Sequence, residues 1–370
     1  MTQPIPFLDP PAGQTSNFEH PDTLSIRSTV AIAISLPLIT LFFLLRSYVR
    51  LRVKRTWILE DWFVAIAWAG TVAYSGLVAA TFSHHGGEHA WDITKEQAKQ
   101  AAYWFNIATI EYALIICATK LAVLWLYRRV FSPVRYSVFD LSIIGLSIIV
   151  TIFYVTTFFI KIFECTPRAK IVDKSISGTC MDTAAILNAS GLFNTITDIV
   201  ILLLPIKAVW TLNVKTEKKI VVVLVFTFGS FAPIFSLIGF VFRLIISGNP
   251  DTTWNQPVLL LWALAELTAG VLCVCFPEMA VLVRRKDRQP TGSSFGQNAM
   301  SQSGRRSNHH QTIITHPKKS TMRARRDSYL ELEENETYGV RVTPTRNHSL
   351  KRDLGGVQVT EEIIIESEDV

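Results

Sequence analysis

The sequence predicts an all-α membrane protein: a seven-transmembrane-helix bundle with its N-terminus outside and its C-terminus in the cytosol. Three observations lead to this prediction. Of the 370 residues, 49% are apolar and only 18% are charged, and the mean hydropathy is +0.30. A typical soluble domain carries about 25% charged residues. Seven stretches are apolar over about 20 residues or more, which is the length that a spanning helix needs. Lysine and arginine also concentrate in alternate segments between these stretches.

The seven stretches cover about residues 26–45, 62–82, 101–127, 137–160, 184–205, 220–242 and 257–283. The second is the clearest, because it contains no charged residue between Trp62 and Phe82. Each stretch is too long for a strand and too uniformly apolar for a helix on the surface of a soluble protein. The third and seventh exceed the minimum length, so we expect them to tilt or to extend beyond the bilayer.

The orientation follows from the basic residues near the ends of the spans. The segments after the first, third, fifth and seventh spans hold sixteen lysines and arginines, and the other segments hold six. Because basic residues accumulate on the cytosolic side, residues 1–25 are predicted to lie outside. Residues 26–283 form the membrane domain. Residues 284–370 have few aromatic residues and mixed charge, which predicts a disordered cytosolic tail.

Composition also limits the classes of function. Residues 284–370 contain 27 of the 66 charged side chains, so the net charge of +6 forms no single basic face. A soluble enzyme and a nucleic-acid-binding protein are both excluded. The sequence contains no H-E-x-x-H motif, no G-x-S-x-G motif and no phosphate-binding glycine loop. We therefore expect a protein that is not an enzyme and that has no cofactor.

The loop between the second and third spans contains His84, His85, Glu88 and His89. These side chains could ligate a transition metal, and His85 and His89 have the i, i+4 spacing of one helix face. Two glycines, residues 86 and 87, would break such a helix between the histidines. We therefore expect an ordinary outer turn with no metal site.

The five cysteines divide by location. Three of them, Cys117, Cys273 and Cys275, lie within spans and are predicted to be small packing residues. Cys165 and Cys180 lie in the loop between the fourth and fifth spans, which the predicted topology places outside. Because disulfides persist outside the cytosol, we predict a Cys165–Cys180 bridge.

Charged residues within spans are candidates for function, because burying a charge in a bilayer is costly. Lys120 and Asp198 lie at the same depth in the third and fifth spans, seven residues before Tyr127 and Pro205, respectively. We therefore expect an intramembrane ion pair between them. Such a pair could fix the packing of the two helices, or it could break on activation. As a third alternative, Lys120 could extend alone towards the inner surface.

Glu111, Arg243 and Glu266 lie at similar depths in the outer halves of the third, sixth and seventh spans. Together with Trp262 they predict an outward-facing ligand pocket with a polar floor. Aromatic and hydrogen-bonding walls could come from Trp104, Asn106 and Tyr112. The alternative is an ion network that only ties the three helices together.

A set of short motifs resembles the fungal rhodopsin-domain membrane proteins, which include the satratoxin-cluster type. The motifs are Arg46 with Glu60-Asp61-Trp62, Gly87-Glu88-His89 with Trp91-Asp92, Lys120-Leu121 through Tyr127-Arg128-Arg129-Val130-Phe131, Phe163-Glu164-Cys165-Thr166-Pro167 with Cys180-Met181-Asp182, Asn194 with Asp198 and Pro205, Gly229 and Arg243, and Glu266 with Phe276-Pro277. They follow one another over about residues 26–285. The chain departs from the family pattern in three respects. No tryptophan lies between the two loop cysteines, Glu60 replaces an aspartate, and only 25 residues precede the first span.

The resemblance implies a seven-helix fold and a receptor-like or accessory membrane protein, linked to a secondary-metabolite (mycotoxin) gene cluster. The alternative is a transporter or export helper for a small apolar metabolite. The expected partners are the lipid bilayer, a small-molecule ligand, and a cytosolic protein that binds the inner loops or the tail. No nucleic-acid partner is expected.

Overall fold

The computed structural model describes residues 5–132, 136–173, 175–211 and 226–287. Within these ranges, seven long apolar helices form a bundle, which confirms the predicted fold class. The helices are α1 (Ser25–Tyr48), α2 (Leu59–Ser83), α3 (Lys95–Phe131), α4 (Val138–Ile162), α5 (Thr183–Thr211), α6 (Phe231–Ile246) and α7 (Thr252–Asp287). A π-helix, Val49–Lys54, continues α1. The only two described strands, β1 (Cys165–Thr166) and β2 (Thr179–Cys180), form an antiparallel pair in the α4–α5 loop.

Polar side chains cap the starts of several helices. At α3, the amide N–H of Thr94 donates to Gln97 Oε1 at 2.7 Å, and the Gln97 amide N–H donates to Thr94 Oγ1 at 3.5 Å. At α4, the Asp140 amide donates to Ser137 Oγ at 3.2 Å. These bonds satisfy N–H groups that have no partner within the helix. They also explain why α3 begins six residues before the predicted apolar stretch: its first turn is polar and lies outside that stretch.

The other helix boundaries differ from the prediction by a few residues. The helix α7 begins at Thr252, five residues before the predicted start at Pro257. The helix α6 ends at Ile246, four residues beyond the predicted end. Its predicted start at residue 220 lies outside the described residues, as do residues 288–370 of the predicted tail.

The helices α3 and α7 form the centre of the bundle. In their most apolar segments, 61% and 67% of the residues are buried, compared with 11% in α6 and 17% in α1 and α4. The two central helices approach closely at Gly270, where a Cβ atom would overlap with the side chain of Thr119. The outer helices expose apolar side chains on their remaining faces, as expected for helices that contact lipid rather than water.

The bundle has two ends that differ in structure. We call the end that carries the α4–α5 loop the disulfide end, and the opposite end, where α7 finishes, the tail end. At the disulfide end, the N-terminal segment packs on the α2–α3 loop, and the Leu24 amide donates to the carbonyl of Gly87 at 2.9 Å. The Gly87 amide in turn donates to the carbonyl of Thr253 at 2.8 Å, which connects this loop to α7.

Candidate functional site

A layer of polar side chains lies between α3, α4, α5 and α7. Glu266 of α7 is buried, and its two oxygens accept hydrogen bonds from Tyr112 Oη at 2.9 Å and from Asn194 Nδ2 at 2.7 Å. Asn194 Oδ1 accepts a hydrogen bond from Tyr154 Oη at 2.5 Å. Asn194 also donates to Ser236 Oγ of α6 at 2.8 Å. A single asparagine on α5 therefore connects this helix to α4, α6 and α7.

Lys120 and Asp198 lie next to this layer. The structure places Lys120 Nζ 2.8 Å from Asp198 Oδ1, and both residues are buried. The ammonium group also donates to Thr197 Oγ1 at 2.7 Å and to the carbonyl of Asn194 at 2.9 Å. All three N–H bonds of the ammonium group are thus used, whereas Asp198 Oδ2 is buried without a hydrogen-bond partner among the described residues.

A cavity opens above this layer, on the side of the disulfide end. It contains about 690 Å³ of empty space, including its open mouth. Glu266, Tyr112 and Asn194 form its polar floor, and Trp262 and Arg243 lie in its walls. The other lining side chains include Phe235, Phe240 and Leu259, which are apolar, and Lys161 and Ser190, which are polar. Apolar and aromatic walls with a few convergent polar groups are typical of small-molecule sites.

Arg243 reaches into the cavity from the last turn of α6. Its Nη1 donates to the carbonyl of Leu187 at 2.6 Å, and its Nε is buried without a hydrogen-bond partner among the described residues. A Cβ atom on Gly191 would lie 2.9 Å from Nη1, so the glycine leaves room for the guanidinium group. No described carboxylate lies within ion-pair distance of Arg243.

Three residues that the sequence suggested for the pocket lie elsewhere. Glu111, Asn106 and Trp104 are not among the residues that line the cavity. Glu111 directly precedes Tyr112, and successive helical residues project about 100° apart, so only the tyrosine faces the cavity. Trp104 instead packs against His84, with ring centroids 5.4 Å apart. Glu111 Oε2 is buried and has no hydrogen-bond partner among the described residues.

A second cavity lies below the polar layer, towards the tail end. It contains about 440 Å³ of empty space, including its opening, and Lys120, Asp198 and Tyr127 are among its lining residues. Glu266 lines both cavities. A single polar layer therefore separates two spaces that follow one another along the bundle.

At the tail end, seven charged side chains form a cluster that joins α1, α2, α3 and α7. The basic members are Arg46, Arg50, Lys54 and Arg129, and the acidic members are Glu60, Asp61 and Glu278. Arg46 is only 1% exposed, and its Nη2 lies 2.7 Å from Asp61 Oδ1. Glu278 contacts Arg50 at 3.0 Å, Lys54 at 2.8 Å and Arg129 at 2.8 Å.

This cluster was only partly visible in the sequence. Arg46 and the Glu60-Asp61 pair contributed to the family resemblance, but no role followed from it. The sequence prediction did not include Glu278 as a candidate residue. Its position directly after Pro277, near the end of a span, is a signal that could have identified it. Asn194 was recognised only as a motif residue, since an uncharged side chain in a span carries no charge signal.

The disulfide end holds the remaining predicted groups. Cys165 and Cys180 form a disulfide that joins β1 to β2. Beside it, Lys161 Nζ lies 2.8 Å from Glu164 Oε2, and both residues are buried. Hydrogen bonds from Ser175 and the nearby ammonium group of Lys99 hold the pKa of Asp173 well below its usual range. The Lys99–Asp173 contact, at 2.9 Å, connects the α4–α5 loop to α3.

The histidines of the α2–α3 loop make separate contacts. His85 Nδ1 lies 2.8 Å from Glu88, and His89 Nδ1 lies 2.7 Å from Asp251. The His89 ring stacks between Trp91 and Trp254, with centroid distances of 4.3 and 3.8 Å. Across the described ranges, no group of three or more histidine, cysteine or acidic side chains could hold a metal ion.

Comparison with known proteins identifies the family. The sequence model of the fungal rhodopsin domain matches residues 45–285. A SAT4 family membrane protein of Emericella nidulans is 29% identical over 236 residues, which are 62% of this chain and 58% of the relative. The match thus spans less than two thirds of that relative. The fugralins biosynthesis cluster protein 2 of Gibberella zeae is 25% identical over 280 residues, 74% of this chain and 69% of the relative.

A third relative is the polyenoic acids biosynthesis gene cluster protein Ba17b of Metarhizium anisopliae. It is 26% identical over 272 residues, 69% of this chain and 73% of the relative. Because the matched region covers more than half of the sequence, the chain is a multi-pass membrane protein that belongs to the fungal rhodopsin domain family.

Proposed function

We propose that this chain is a receptor-like or accessory membrane protein that binds a small, largely apolar molecule and has no catalytic role. The observation that carries the proposal is the cavity at the disulfide side of the polar layer. It combines aromatic walls at Phe235, Phe240 and Trp262 with a floor of hydrogen-bonding groups. Aromatic walls and a few convergent polar groups are the arrangement that small-molecule sites share.

A link to secondary-metabolite production is part of the proposal. Two relatives are named as proteins of biosynthesis gene clusters, one for fugralins and one for polyenoic acids. A polyenoic acid has, by its name, an unsaturated hydrocarbon body and a carboxyl group, a combination that suits the apolar walls and polar groups of the cavity. We propose that the ligand of this chain belongs to the same broad chemical range.

The proposed orientation remains the one predicted from the basic residues, with the disulfide end outside and the tail end in the cytosol. A cytosolic partner would then meet the tail end. Exposed basic residues there include Arg52, which lies in the π-helix after α1, and Arg55, which follows it. A partner with an acidic surface would complement them.

The second candidate is a transporter or export helper. It is favoured by one observation: Glu266 lines both cavities, so the two spaces meet at the polar layer. Transport of a small apolar metabolite across the membrane of vesicles that contain the purified chain would favour this candidate. Ligand binding without flux would favour the receptor-like role.

The test fills the cavity with a side chain. Gly239 lines the cavity, and a Cβ atom there meets only Trp262 Cβ, at the ordinary contact distance of 3.4 Å. We expect Gly239→Leu to occupy the space without breaking the helix. Gly145→Leu is the matched control, because a Cβ atom at Gly145 in α4 meets no atom within 4 Å.

Two measurements use this pair of variants. The first is binding of naphthalenemethanol, an uncharged apolar probe, to the protein in nanodiscs. The second is the metabolite profile of a strain in which the gene has been deleted and then replaced. We expect the wild-type chain and Gly145→Leu to bind the probe and to restore the profile, and Gly239→Leu to do neither. Full activity of Gly239→Leu, at equal abundance in the membrane, would contradict the proposal.

A further inference from the structure

We propose that the cavity takes an amphipathic carboxylate, whose anionic group pairs with Arg243 and whose apolar body lies against Trp262, Phe235 and Phe240. This inference rests on the proposed function, because it names the chemical class of the ligand for the same cavity. It starts from the two cations in the cavity wall, which are Arg243 and Lys161.

The two cations differ in their partners. Lys161 Nζ is 2.8 Å from Glu164 Oε2, so its charge is neutralised within the protein. Arg243 has no described carboxylate within 4 Å, and Nη1 donates its hydrogen bond to a neutral backbone carbonyl, that of Leu187. A guanidinium group carries five N–H donors in a planar fork that matches a carboxylate. Arg243 therefore keeps donors that an anionic ligand can use.

The acidic residues of the polar layer do not form an ion pair with Arg243. Asp198 is engaged by Lys120 at 2.8 Å. Both oxygens of Glu266 accept hydrogen bonds from neutral groups, Tyr112 Oη and Asn194 Nδ2.

The rest of the wall suits an apolar body. The rings of Phe235 and Trp262 lie with their centroids 6.3 Å apart, and Phe240 and Leu259 complete an apolar surface next to Arg243. Gly191 is part of the arrangement, since a side chain there would push against the guanidinium group. An acid with a flat or extended hydrocarbon body fits these surfaces better than a small, fully polar acid.

The experiment compares three probes with one body and different charges: naphthoic acid, naphthalenemethanol and naphthalenemethylamine. Binding is measured by equilibrium dialysis at neutral pH with the protein in phosphatidylcholine nanodiscs, and uptake by empty nanodiscs is subtracted. For the wild-type chain we expect the acid to bind about tenfold more tightly than the alcohol, as one charge-assisted interaction would give. We expect the amine to bind more weakly than either.

Three variants locate the effect. Arg243→Gln should bind the acid and the alcohol equally. Gly191→Ala retains the charge but displaces the guanidinium group, so it should also lose most of the preference. Arg27→Gln removes an exposed arginine at the same end of the bundle and should keep the wild-type preference.

The outcomes separate this inference from the proposed function. A preference that persists in Arg243→Gln, or tighter binding of the amine than of the acid, would overturn the inference while leaving a ligand cavity in place. Equal binding of acid and alcohol by the wild-type chain would overturn it as well. If none of the three probes bound, the proposed function would fail, and the inference would fail with it.

Discussion

Replacing Lys120 tests what the intramembrane ion pair contributes. Its ammonium group makes three close contacts, with Asp198 Oδ1 at 2.8 Å, Thr197 Oγ1 at 2.7 Å and the carbonyl of Asn194 at 2.9 Å. Lys120→Met removes all three and leaves the carboxylate of Asp198 buried without a counter-charge. Removing one partner of a buried pair costs about 3 to 5 kcal/mol of stability. At about 2 to 4 °C per kcal/mol, the midpoint of thermal unfolding should fall by about 6 to 20 °C.

The double variant Lys120→Met/Asp198→Leu separates the loss of the pair from the exposure of one charge. Apolar residues of similar volume often replace a buried ion pair without loss of stability. We therefore expect the double variant to unfold within a few degrees of the wild-type chain. Lys95→Met is the control, because Lys95 lies on the same helix, is exposed and forms no ion pair with a described residue.

The assay is thermal unfolding in detergent, followed by the fraction of protein that remains monodisperse after heating. A double variant as unstable as Lys120→Met would refute the reasoning, because the loss would then not come from an unpaired charge. Binding of naphthalenemethanol by the double variant decides between the two roles of the pair. Unchanged binding indicates that the pair serves packing, and lost binding in a stable variant indicates that it serves function.

Three further predictions concern other parts of the bundle. Arg46→Gln should lower the unfolding midpoint by several degrees, because it leaves buried carboxylates of the tail-end cluster without their closest cation. Arg52→Gln, which replaces an exposed arginine, should have little effect, and equal effects of the two variants would contradict the role of the cluster. Gly270→Ala should destabilise the contact between α3 and α7, whereas Gly76→Ala, which meets no atom, should be neutral or stabilise its helix by up to about 1 kcal/mol in the same assay. The depressed pKa of Asp173 means that its ionised carboxylate stabilises the loop at pH values above the unfolded pKa of about 3.9, and that this stabilisation is lost as the pH falls towards the folded pKa. Hydrogen exchange of the α4–α5 loop, measured between neutral and acidic pH, should show this loss of stability, and Asp173→Asn should remove the pH dependence.

Hydropathy predicted the spans well, because it reports the one property that a bilayer demands of a helix. It could not find the polar turns that extend a helix beyond the apolar segment. The residues before 101 in α3 are an example: Thr94 and Gln97 begin the helix through capping hydrogen bonds, which are a local chemical signal. The prediction of boundaries therefore failed where capping, not burial, decides them.

Depth along a helix was enough to bring Lys120 and Asp198 together, because opposite charges at one depth have few alternatives in an apolar environment. Depth was not enough for Glu111, since it does not specify which face of the helix a side chain occupies. Tyr112, one residue later, faces the cavity instead. The polar layer shows a further limit, because Asn194 donates to Glu266 and accepts from Tyr154, and a search for charges does not find such uncharged partners.

The pairing of charges separates structural from functional residues in this bundle. A charge within a bilayer is costly, and an ion pair reduces that cost. The cluster around Arg46 and the Lys120–Asp198 pair reduce it in this way, so packing is sufficient to explain them. Among the acidic and basic residues well inside the described spans, Glu111, Arg243 and Glu266 form no ion pair, and two of them, Arg243 and Glu266, line the same cavity. Packing does not explain why two unpaired ionisable groups should face one cavity, whereas a ligand with complementary groups does.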